Sequence, residues 1–116
     1  MQLEARKYLY DIQEAAGFAA QFTAGKDFAE YQRNPMLRLA VERAFAIIGE
    51  ALVQLARVDA ALAKKITDFR SIVAFRNLLV HAYAQVDDRL VWDIVQAKLP
   101  VLIREVDALV DTEDRP

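Results

Sequence analysis

Leu37, Val41, Ala44, Ile48, Ala51 and Leu55 recur at alternating intervals of four and three residues. That spacing puts all six on one stripe of an α-helix, the kind of seam by which helices pack on one another. A chain organised around such a segment folds by stacking helices, and little else in it resists that outcome. Its 116 residues include only three glycines and three prolines, too little punctuation for many turns. Alanine, leucine, glutamate, glutamine and arginine, all good helix formers, are abundant.

The seam helix has a marked start. Asn34 can accept from free amides as N-cap, and Pro35 suits the first turn, where a missing N–H costs nothing. Its end is expected near Arg57 or Val58. A first helix is expected from about Leu3 to Thr23, with Leu9, Ile12, Ala16, Ala19 and Phe22 on one face and Gly25 as the stop signal. Residues 26–33 read as a connector that admits a short turn of helix. Residues 59–67 are ambiguous, and Ala60 to Lys65 suggest a short helical extension. Asp68 is the expected N-cap of a third helix reaching about Tyr83. A fourth starts at Asp87 or Asp88 with Leu90, Val91, Ile94, Val95 and Leu99 apolar. Pro100 should kink or divide it, with Val101, Leu102, Ile103, Val106 and Leu109 continuing the pattern beyond. Residues 111–116 are polar and expected to fray. The expected fold is all-α, one domain over residues 1–116. It is an antiparallel up-and-down bundle of four main helices, the last kinked at Pro100.

Composition narrows the function. With 55% hydrophobic residues the chain can bury a core without disulfides. The absence of cysteine excludes disulfides, thiolate zinc sites and a cysteine nucleophile. A net charge of −2 argues against a non-specific nucleic-acid coat, which would be basic, but leaves room for a local basic pocket. No apolar run approaches the ~18–20 residues of a membrane span, and the first residues lack the apolar core of a secretory signal. The expectation is a soluble, cytoplasmic protein with no membrane association.

The third helix departs from the bundle pattern. Ile72, Val73, Ala74, Phe75, Leu78, Leu79, Val80 and Ala82 make it apolar on nearly every side, which implies burial on more than one face. Arg76 interrupts this surface. On a wheel of about 100° per residue, Ile72, Leu79, Val80 and Tyr83 all lie within about 60° of it. A guanidinium there needs a partner: a carboxylate, a phosphate, or water in a cleft. Glu42 and Glu50 on the seam helix are the candidate carboxylates. Asn77 and His81 are four apart and neighbours on another face. Arg76 and His81 lie about 140° apart on an ideal helix, so one helix does not bring them together. In a homodimer packed through this helix, two copies of the segment meet in one cleft, and the single histidine of each chain is matched by a second.

Arg76-Asn77 followed by His81 and Tyr83 resembles the signature of HEPN-domain ribonucleases. Glu42-Arg43, Ile47-Ile48-Gly49-Glu50-Ala51, Val86-Asp87, Val91-Trp92 and Leu99-Pro100 narrow the resemblance to the HepT-like family over nearly the whole chain. Phe69 stands where many relatives carry tryptophan. The resemblance implies a dimeric helical bundle acting as the toxin of a toxin–antitoxin module, opposite a nucleotidyltransferase antitoxin of the MNT type. It implies metal-independent, cofactor-free cleavage of RNA, with Arg76 and His81 catalytic and Asn77 supporting them. It also implies silencing by AMPylation of Tyr83, with residues 84–88 beside the site. A second reading is a non-catalytic subunit that docks the nucleotidyltransferase. A third is a structural dimer in which Arg76 only pairs with an acidic residue such as Glu50.

Overall fold

The computed structural model describes residues 1–113, with the backbone alone at positions 83 and 113. Among the described residues there is no strand. Seven α-helices follow in order: α1 (Leu3–Thr23), α2 (Phe28–Arg33), α3 (Pro35–Val58), α4 (Ala60–Ala63), α5 (Phe69–His81), α6 (Asp88–Ala97) and α7 (Leu99–Glu113), with a 3-10 turn at Tyr83–Gln85. The helix α3 is central: α1 packs along one side of it and α5 along another, and α7 lies against α1. No helix among the described residues is long and apolar enough to cross a membrane.

Local chemistry explains the boundaries. Asn34 accepts from the Leu37 amide at 3.1 Å and Pro35 opens α3. The six seam residues of α3 are all buried, joined by Phe45, whose ring meets Phe75 of α5 edge-on at 5.4 Å. Gly25 follows the end of α1 with φ +72, a left-handed backbone that favours glycine. Asp59 caps α4 through the Leu62 amide, and Asp87 caps α6 through that of Arg89.

The short turn of helix admitted within residues 26–33 is present as the six-residue α2, started by a reciprocal capping box of Asp27 and Glu30. Other expectations are corrected. Phe22 is not on the buried face of α1. Thr23 takes that place, its hydroxyl satisfied by donating to the Ala19 carbonyl at 2.8 Å, while Phe22 lies exposed and stacked on Phe18. Of the kink or division expected at Pro100, the structure shows the division rather than one kinked helix, and the break falls at Lys98, two residues before the proline. A proline ring collides with the carbonyl four residues back, so the chain leaves α6 first and Pro100 sits in the opening turn of α7. Finally, α7 continues through Glu113, past the expected fraying at Asp111; positions 114–116 lie outside the described residues. Among the described residues the helices number seven, the short α2 and α4 and the division of the last helix adding to the main ones expected.

Candidate functional site

Helix α5 runs to His81, and the backbone leaves the helix at Ala82 (φ −139) while its amide still bonds the Leu78 carbonyl. The expected helix end near Tyr83 is thus two residues long. Tyr83 opens the 3-10 turn, and its side chain lies outside the described part of the structure. On α5, Ile72, Phe75 and Leu79 are buried against the rest of the molecule. Val80 is 45% exposed and Ala74 is also exposed.

Arg76 is held from three sides. Its Nη2 donates to Glu50 Oε2 at 2.6 Å, and its Nη1 donates to Asn77 Oδ1 at 2.9 Å. Glu50 Oε1 in turn accepts from Gln54 Nε2 at 3.0 Å. The stem of Arg76 crosses α3 at Gly49, where a Cβ would coincide with Arg76 Cβ and Cγ. Glycine costs a helix interior about 1 kcal/mol relative to alanine, so its place in mid-α3 is explained by this crossing. The side chain of Arg76 is 22% exposed and that of Glu50 is 48% exposed. An ion pair this open contributes about 0–1 kcal/mol. Its physical effect is orientation: it fixes the guanidinium at the mouth of a cleft. Arg76 Nε is buried and without a hydrogen-bond partner.

That cleft encloses about 270 Å³. Tyr8 and Asp11 of α1 form one wall, Arg43, Ile47 and Glu50 of α3 the floor, and Arg76 with Val80 of α5 the other wall. Of the two carboxylates proposed for Arg76, the structure therefore brings Glu50 to it. Glu42 lies just over two turns away along α3, among Arg38, Asp88 and Tyr31. Asn77 turns to the arginine rather than to the imidazole. His81 is exposed at the end of α5 and bonds to no described residue. Sequence reading passed over the roles of Gly49 and Gln54; the one available signal was a glycine inside an otherwise strong helical seam.

Around Glu42 the chemistry is different. Tyr31 is wholly buried, its ring 5.4 Å from that of Trp92 and its hydroxyl unpartnered. Burial, reinforced by Glu42 and Asp88, pushes its pKa far above the ordinary phenol range. Burial also raises the Glu42 pKa, Asp88 adds to the rise, and Arg38 opposes it. Arg38 reaches Asp88 at 3.9 Å and also donates to the Gln32 carbonyl. A carboxyl whose pKa is raised on folding holds its proton more tightly in the native state. Stability is then lost as pH rises from the unfolded pKa through the folded one. Glu42→Gln is expected to raise the melting temperature at neutral pH. The gain should vanish as pH falls toward about 4; thermal unfolding across that range checks it, and a gain independent of pH would contradict the assignment.

Fold and site together define a small all-helical protein with an arginine-centred cleft. A family model described as "Ribonuclease HepT-like" matches residues 12–109, and the chain belongs to the HepT-like ribonuclease family. It is 35% identical over 106 residues to "Putative RNase MJ1380" of Methanocaldococcus jannaschii, covering 90% of this chain and 94% of the relative. It is 33% identical over 102 residues to "Probable ribonuclease HepT" of Thermococcus cleftensis, covering 88% and 92%. "Putative RNase TTE0752" of Caldanaerobacter subterraneus subsp. tengcongensis is 28% identical over 108 residues, covering 93% and 96%. No solved structure matches the chain significantly.

Proposed function

We propose that this chain is an endoribonuclease that works as a homodimer and serves as the toxin of a toxin–antitoxin module. The observation that carries the reading is the presentation of Arg76 at a cleft mouth, five residues before an exposed His81, in a member of the HepT-like family. In this mechanism the ribose 2′-hydroxyl attacks the adjacent phosphorus, and the bond to the 5′-oxygen breaks. The products are a 2′,3′-cyclic phosphate and a free 5′-hydroxyl. His81 takes the 2′-hydroxyl proton as general base, and the same imidazole, now protonated, gives it to the leaving 5′-oxygen. Arg76 neutralises the charge that builds on the phosphoryl oxygens. The chemistry needs no metal ion.

Support for a second chain comes from α5. It packs principally on α3, and Val80 beside Ile47 (37% exposed) leaves apolar surface on the Arg76 side. A second copy packed along α5 across a two-fold axis covers the Val80 side of that surface and leaves the cleft open at Ile47 and Tyr8. Family resemblance supplies the antitoxin, an MNT-type nucleotidyltransferase that silences the toxin by adding AMP to Tyr83. An added phosphate there brings negative charge toward the motif that Arg76 serves.

Expression without the partner should arrest growth, and the purified chain should cut RNA to cyclic-phosphate ends. A purified dimer that leaves RNA intact, yet raises nucleotidyl transfer by the partner, would replace this reading with that of a non-catalytic docking subunit.

A further inference from the structure

We infer that Arg43 is a second phosphate-binding residue, which holds single-stranded RNA one side of the scissile linkage while the flanking nucleotide lies in the cleft against Tyr8. The inference rests on the ribonuclease reading and extends it from the reacting phosphate to substrate positioning. Arg43 stands seven residues before Glu50, so the two share a face of α3 about 10 Å apart along its axis. Both line the cleft that Arg76 enters.

The two arginines of this cleft are in different states. Arg76 is committed to Glu50 and Asn77. Arg43 is exposed and makes no hydrogen bond or ion pair with any described residue. A free guanidinium at the rim of a partly apolar cleft is suited to a phosphate, which it can meet in bidentate fashion. The remaining lining fits the rest of a nucleotide. Ile47 and the Tyr8 ring offer apolar and aromatic surface for a base, and Asp11 offers an acceptor for a ribose hydroxyl or base amine. A volume near 270 Å³ is at the small end of ligand sites, enough for one nucleotide and too small for a large cofactor. The overall charge of −2 makes each such local cation weigh more in holding a polyanion.

The test measures binding apart from cleavage. In the full-length His81→Ala chain, the affinity for a fluorescent single-stranded oligoribonucleotide is measured across a salt series. Arg43→Ala should weaken binding and lower the log–log salt slope by about 0.7 to 1, the loss of one phosphate contact, while Arg43→Lys keeps most of the slope. In the active chain, Arg43→Ala should raise KM several-fold, with a smaller effect on kcat. Because Arg43 is exposed, the melting temperature should stay at the parental value. An unchanged slope and KM in a chain that does cleave RNA overturns the role of Arg43 and leaves the nuclease reading standing. A parental chain that neither binds nor cleaves RNA overturns both.

Discussion

His81→Ala should lower RNA cleavage by about 10²–10⁴-fold, the range that a positioned acid or base supplies. Arg76→Ala should cost about as much as removal of an oxyanion donor, roughly 10²–10³-fold. Neither variant should change the fold greatly: His81 is exposed, and the Arg76–Glu50 pair is too open to carry much stability. The more telling experiment mixes the two dead chains. The regular helix from Phe69 to His81 keeps Arg76 and His81 about 140° apart around its axis, so a working pair is expected to take one residue from each chain. Random association of Arg76→Ala with His81→Ala makes half of the dimers mixed. Each mixed dimer has one cleft with both groups intact and one with neither. Mixing should therefore restore about a quarter of the parental activity. If both groups act within one chain, no cleft is intact in any dimer, and mixing restores nothing. The recovery thus reads out the geometry of the site, and it is insensitive to modest losses of stability in either variant.

The parts of this molecule legible in the sequence are those governed by local rules. The α3 seam, its Asn34-Pro35 start and the caps at Asp87 and Gly25 follow from periodicity, backbone conformation and side-chain reach. That Arg76 required a partner was also legible, since a guanidinium inside an apolar stripe is costly unless paired. Which carboxylate met it was not, because Glu42 and Glu50 differ by eight residues on one helix, and only the crossing of α5 over Gly49 selects between them. The extent of the short α2 was less legible for a related reason. Its capping box was present in the letters, but a six-residue helix carries too little periodicity to stand out. Phe22 misled because apolar spacing cannot distinguish a buried ring from an exposed one stacked on its neighbour.

Gly49→Ala and Gly17→Ala are expected to move stability in opposite directions, although each puts one methyl group into a long helix. At Gly17, in α1, a Cβ meets nothing within 4 Å. Only the propensity gain operates there, and the substitution should stabilise by about 0.5–1 kcal/mol. At Gly49 the new Cβ would overlap Arg76 at Cβ and Cγ. These are the root of the arginine rather than its flexible end, so rotation of the side chain cannot clear them; α5 must move away from α3. Overpacking of this kind costs about 1–3 kcal/mol, more than the propensity gain offsets. For a chain of this size the net loss is expected to lower the melting temperature by roughly 4–8 °C. The displacement should also disturb the 2.6 Å contact to Glu50 that aims the guanidinium. A shift near 1 Å in a reacting group can cost about 10²-fold in rate, so cleavage should fall further than stability alone accounts for. Melting curves and cleavage rates of both variants, taken well below the transition, separate the two effects. A Gly49→Ala chain with parental stability and rate would show that α3 and α5 do not need this close crossing, and would remove the physical basis for the placement of Arg76.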